Sequence, residues 1–221
     1  MSLLPCIEID PQTPADSAVI WLHGLGASGS DFEPIVPELQ LPANSAVRFI
    51  FPHAPAIAIT INGGMVMPAW YDITDISLGR KVDTGQLMAS ADALHRLIDR
   101  EIERGIDSSR IVIAGFSQGG AVAYQGALTY PLPLAGLMTM STYFATAGSI
   151  ELHAANRSLP IHVFHGVNDP MVPEQLGHDA CQILRTMGYQ PSYTTYPIEH
   201  SVCMEEVVDI ASFLRQCLRL T

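Results

Sequence analysis

Short apolar runs alternate along this chain with stretches whose apolar positions return every three or four residues. Residues 18–22 (AVIWL) and 47–51 (VRFIF) read as buried strands, the first ending at His23-Gly24 and the second at Pro52. Residues 111–114 (IVIA), 134–140 (LAGLMTM), 161–164 (IHVF) and 192–196 (SYTTY) read as further strands. Between them lie helical patterns. Residues 83–104 place Leu87, Ala91, Leu94, Ile98 and Ile102 on one face and stop at Gly105. Residues 120–128 form a second helix and residues 174–187 a third, closed by Gly188. Residues 203–218 turn Val207, Ile210, Leu214 and Leu218 inward. Strands separated by helices, without a composition break or long linker, predict an α/β protein with a mostly parallel central sheet covered on both faces.

Residues 56–70 (AIAITINGGMVMPAW) depart from that rhythm. An alternating run meets Asn62-Gly63-Gly64, a strong turn signal, so a small hairpin insertion over the sheet's edge is expected. At 221 residues the chain fits one domain, residues 1–221, with the insertion at about residues 56–70.

Composition narrows the partners. Hydrophobic residues make up 48% and charged residues 15%, which argues against disorder. The net charge of −11, with eleven basic residues and no basic run, argues against nucleic acid and against an anionic membrane surface. Cys6, Cys181, Cys203 and Cys217 lack C-x-x-C or zinc spacing and read as reduced, mostly packed thiols. The first residues lack a secretory pattern, and no apolar run is long enough for a bilayer, so a cytoplasmic protein without stable membrane insertion is expected.

The candidate chemistry begins at Gly115-Phe116-Ser117-Gln118-Gly119, between the strand at 111–114 and the next helix. A nucleophilic serine needs a tight strand-to-helix turn, and the positions two before and two after it have little room for a Cβ. In an open α/β sheet, catalytic side chains lie just past the carboxyl ends of strands. Asp169 follows the strand at 161–164, and His200 lies between the last strand and the last helix. The order Ser, Asp, His is the one this arrangement uses. His200 would take the Ser117 proton, and Asp169 would fix and charge-stabilise the imidazole. One oxyanion donor should be the Gln118 backbone N–H. The other should come from His23-Gly24-Leu25-Gly26, and is assigned to the Leu25 N–H.

Rivals fit less well. Glu199 adjoins His200, but neighbours in sequence rarely face each other productively. His53, His95, His153, His162, His165 and His178 read as structural. No H-E-x-x-H or comparable spacing supports a zinc site, and Gly24-Leu25-Gly26-Ala27-Ser28-Gly29 lacks the lysine of a phosphate loop. No metal and no organic cofactor is called for.

With these residues placed, the chain resembles the phospholipase/carboxylesterase family of α/β-hydrolases, which includes acyl-protein thioesterases and small bacterial carboxylesterases. The resemblance rests on His23-Gly24-Leu25-Gly26 with Asp31-Phe32, Phe51-Pro52-His53-Ala54-Pro55 and Pro68-Ala69-Trp70-Tyr71-Asp72. It rests equally on Gly115 to Ala121, Ser141-Thr142-Tyr143, His165-Gly166 with Asp169, and His200-Ser201. Ser141-Thr142-Tyr143 and Asp31-Phe32 look more like the bacterial carboxylesterase branch. The resemblance implies an α/β-hydrolase fold and a serine carboxylesterase acting on small to medium acyl esters through Ser117, Asp169 and His200. Its alternatives are a lysophospholipase or acyl-protein thioesterase, and, outside catalysis, a ligand receptor on the same fold. It also implies that residues 56–70 wall an acyl cleft, with Leu25 and Trp70 as substrate-binding candidates. A small-molecule or lipid acyl ester would be the substrate, and a homodimer the assembly. Met65 and Met67 are expected mainly as core filler.

Overall fold

A computed structural model describes residues 3–75 and 81–221. Eleven strands and five α-helices follow one another along them. The strands are β1 (Cys6–Ile9), β2 (Ser17–Leu22), β3 (Val47–Pro52), β4 (Ala56–Ile59), β5 (Met65–Pro68) and β6 (Ile73–Asp75). Then come β7 (Lys81–Val82), β8 (Ile111–Phe116), β9 (Gly136–Met140), β10 (Ile161–Gly166) and β11 (Ser192–Tyr196). The helices are α1 (Ile35–Glu38), α2 (Thr84–Glu103), α3 (Gln118–Thr129), α4 (Glu174–Thr186) and α5 (Met204–Leu218).

Seven strands form the main sheet in the order β1-β3-β2-β8-β9-β10-β11. Only β1 runs antiparallel to its neighbour; the other pairings are parallel. Successive side chains of a strand point to opposite faces, and here both faces are covered. Ala18, Ile20 and Leu22 therefore join the core under α2, α3 and α4. Val19 and Trp21 join the core under α5 and the 32–41 segment. This is why β2 and β8 read as unbroken apolar runs rather than alternating ones.

Several features differ from the sequence reading, and two carry an argument. The first is β1, which the pattern did not predict. Four residues, Cys-Ile-Glu-Ile, are too few to show a period. Part of what holds β1 in place is charge. Glu101 of α2, fully buried, accepts from Arg48 (2.8 Å), Arg100 (2.9 Å) and Arg104 (3.1 Å). Glu8 takes the other side of Arg100 and Arg104 at 2.8 Å each, and Asp10 pairs with Arg48 at 2.6 Å.

The second is the hairpin. β4 and β5 pair antiparallel as expected, but Ile59 opposite Met65 is the last pair, so the turn spans residues 60–64. A single helical turn, Thr60–Asn62, precedes Gly63 (φ 66°) and Gly64 (φ 81°), which complete the reversal in the left-handed region. The hairpin is not at a lateral edge. The Gly26 N–H donates to Pro68 (2.8 Å) and the Trp70 N–H to the Gln118 side chain (2.8 Å), so its base sits over the carboxyl ends of β2 and β8. Met65 is 63% exposed and is surface, not core filler. Among the described residues, no helix is long and apolar enough to cross a membrane.

Candidate active site

Ser117 sits between β8 and α3 with φ 53° and ψ −120°, a conformation a non-glycine residue adopts only under constraint. The constraint is visible around it. A Cβ on Gly115 would lie 2.4 Å from the Gly119 carbonyl oxygen, and one on Gly119 would lie 2.5 Å from the carbonyl oxygens of Leu22 and His23. Both positions admit only glycine, as the motif demanded. The Ser117 N–H donates to Met140 at the end of β9 (2.9 Å), tying the turn to the neighbouring strand.

Asp169 and His200 come together from loops 31 residues apart in sequence, with His200 Nδ1 2.6 Å from Asp169 Oδ2. The other carboxylate oxygen accepts from the Met171 and Val172 amides at 2.8 Å each. Burial pushes the Asp169 carboxyl up, but the His200 bond and the two amides outweigh it and hold it below the usual carboxylate range. An ionised carboxylate only accepts, so Nδ1 carries the proton and Nε2 is left with a free lone pair. The ring of Phe116, the residue before the serine, packs on the His200 imidazole with centroids 4.7 Å apart. No direct bond joins the Ser117 hydroxyl to His200; such contacts commonly tighten when substrate arrives.

Loop 23–26 lies against the serine. A Cβ on Gly24 would be 3.3 Å from the Ser117 Cβ, so the glycine lets the loop approach. Buried His23 organises this loop. Its Nε2 accepts the Ala54 N–H (3.1 Å), which makes Nδ1 the protonated nitrogen that donates to the Gly24 carbonyl (2.7 Å). Burial lowers its proton affinity below that of an ordinary histidine, against the pull of the Gly24 carbonyl. A trans peptide points its C=O and N–H in opposite directions, so pinning the Gly24 carbonyl aims the Leu25 N–H the other way. Gln118 opens α3, and its N–H has no intrahelical acceptor.

The structure separates the two substrate-wall candidates. Leu25 is half-buried at the loop. Trp70 is 1% exposed and lies beneath it, its indole donating to the His23 carbonyl (2.7 Å) and its own carbonyl accepting from Ser90 (2.5 Å). Trp70 is therefore a strut under the loop, not an open wall. The Gln118 amide accepts from the Trp70 N–H (2.8 Å) and donates to the Tyr71 carbonyl (2.6 Å), locking the 69–72 segment onto the turn. No local pattern in the sequence points to these buried links, because they join segments nearly fifty residues apart. Glu199 makes no bond to His200. His165 lies behind Asp169, its Nε2 on the Val172 carbonyl (2.8 Å).

Residues 6–218 match the phospholipase/carboxylesterase family. This chain belongs to that family. Acyl-protein thioesterase 1 of Neurospora crassa is 40% identical over 213 residues, covering 91% of this chain and 87% of that protein. Acyl-protein thioesterase 1 of Saccharomyces cerevisiae is 35% identical, covering 93% and 94%. The crystal structure of Arabidopsis thaliana SOBER1 superimposes with a TM-score of 0.85 at 30% identity, over 91% of this chain and 99% of that one. The Bacillus cereus carboxylesterase shares the fold, with a TM-score of 0.79 at 16% identity over 98% and 95% of the two chains. The family's α/β-hydrolase fold is thus the fold of this chain.

Proposed function

We propose that this ester hydrolase of the phospholipase/carboxylesterase family works through Ser117, Asp169 and His200, with the Leu25 and Gln118 amides as oxyanion donors. The observation that carries the assignment is the 2.6 Å bond between His200 and Asp169 beside a serine held at φ 53°. Ser117 Oγ attacks the acyl carbonyl carbon as its proton passes to His200 Nε2. The carbonyl oxygen gains negative charge and takes the two N–H bonds. The intermediate collapses, the bond to the leaving group breaks, and His200 returns the proton to the departing alcohol or thiol. Water then repeats the sequence on the acyl-enzyme and releases the acid.

The substrate reading is a small to medium acyl ester. The 40% and 35% identity to acyl-protein thioesterases favours a second, release of acyl groups from thioesters by the same steps. Family resemblance further supports a cytoplasmic homodimer, with the exposed Met65 and Val66 of the hairpin as its contact. Ser117→Ala and His200→Ala should each abolish p-nitrophenyl ester turnover while the circular dichroism spectrum and melting temperature stay near wild type. Substantial turnover by purified Ser117→Ala would overturn the assignment. A matched series of oxygen esters and thioesters of rising acyl length separates the two substrate readings.

A further inference from the structure

Thr142 lies in the loop after β9, 25 residues from the nucleophile, and is fully buried. Its hydroxyl donates to the Ser117 backbone carbonyl at 2.5 Å. That carbonyl does not need it. The Gly120 N–H reaches the same oxygen at 3.0 Å and the Ala121 N–H at 3.4 Å, as the first turn of α3 requires. A carbonyl has two lone pairs, so the third donor exceeds what satisfaction demands.

We propose that Thr142 is a positioning residue for the acyl-transfer reaction: through the Ser117 carbonyl it sets the aim and donor strength of the Gln118 N–H. The inference rests on the reading of Ser117 as nucleophile. The Ser117 C=O and the Gln118 N–H belong to one planar trans peptide and point in opposite directions. Fixing one end fixes the other. A hydrogen bond accepted at the carbonyl also polarises the peptide and makes its N–H a better donor, by an estimated 10–30% per bond.

Two neighbouring features serve this contact. Ser141 adopts φ 47°, which turns the chain out of β9 just before Thr142. Gly120 leaves room: a Cβ there would lie 2.6–2.8 Å from Thr142 Cγ2, Cβ and Oγ1. This accounts for the second glycine after Gly119, which the serine turn itself does not explain. The opposite half of the oxyanion site has the same design, with His23 Nδ1–H on the Gly24 carbonyl and the Leu25 N–H at the far end of that peptide.

The experiment compares Thr142→Val, which deletes the hydroxyl at constant shape, with Thr142→Ser, which keeps it. Thr142→Ala gives the same readout should valine pack badly against Ser117. Each variant is assayed on an ester and on the thionoester in which sulfur replaces the carbonyl oxygen. Sulfur is a weak acceptor, so a finely aimed N–H contributes less to the thionoester. Complete loss of an oxyanion donor costs about 10²–10³ in rate, and misaiming one should cost less. The expected result for Thr142→Val is a roughly tenfold fall in ester kcat, with KM within about twofold of wild type. The ester-to-thionoester rate ratio should fall with it, and Thr142→Ser should restore most of kcat. Unchanged ester kcat in Thr142→Val and Thr142→Ala, equal losses on both substrates, or failure of Thr142→Ser to restore the rate would each overturn the proposal. Ser117→Ala, run alongside, keeps the two failures apart, because activity there would remove the nucleophile itself.

Discussion

Ser117 pays for its position with backbone strain on the order of 1–3 kcal/mol, and three glycines absorb the crowding that follows. Another local cost lies at Glu206, in the first turn of α5. It is 1% exposed, and among the described residues neither carboxylate oxygen has a close hydrogen-bond partner. Burial, with the negative Asp209 nearby, pushes its carboxyl up to about 8. Below the ordinary value of 4.5 both folded and unfolded chains hold this proton. As pH rises from there the unfolded chain gives the proton up first, so folding stability falls, and the loss is complete above about 8. Glu206→Gln removes the penalty. Its melting temperature should exceed wild type by a margin that is small at pH 5, grows to pH 8 and then levels off. A margin independent of pH would show that Glu206 does not titrate in this window. At this scale the pairing of Asp169 with His200 and the glycine-bounded turn at Ser117 were legible, because each of the three residues falls just after a strand. Thr142 and Trp70 were not, since their bonds join segments 25 and 47 residues apart and leave no local period.

Among the elements, β1 is held by ion pairs as well as by its ladder to β3. Glu101 is buried beneath three arginines, and removing one member of such a cluster leaves the others charged and under-paired. Glu101→Ala should therefore cost about 3–5 kcal/mol in urea unfolding. A cost below about 1 kcal/mol, ordinary for a solvated surface pair, would show that water screens the cluster. The long helices and inner strands were readable because burial on one or both faces forces a strong apolar pattern. β1 was not, because four residues with glutamate third carry too little pattern, and its partners lie in β3 and α2. α3 begins at Gln118, two residues before the pattern suggested, since a helix start set by a turn is geometric rather than hydrophobic.

Across the whole molecule, chemistry and insertion share one end of the sheet. The hairpin carries Met65 and Val66, 63% and 65% exposed, and its base is bonded to the 23–26 loop beside Ser117. If this patch joins two copies, Met65→Glu with Val66→Glu should halve the mass measured by light scattering at micromolar concentration and leave ester turnover in place. An unchanged mass would locate the contact elsewhere or exclude a dimer.

At the opposite end, Arg110 precedes β8 and donates to the Leu218 carbonyl at 2.7 Å. The last turn of α5 is thereby fastened at the start of the strand whose far end leads into Ser117, about 20 Å of extended chain away at ~3.3 Å per residue. The start of the described chain lies the other way, for Cys6 pairs with Pro52 and Pro5 accepts the His53 N–H, just before the hairpin. Anchoring the enzyme to a bead or electrode through Thr221 thus leaves the Ser117 end of the sheet facing open liquid. Anchoring it through the residues before Cys6 presses the hairpin against the support, so turnover of bulky esters should fall more than with the other anchor.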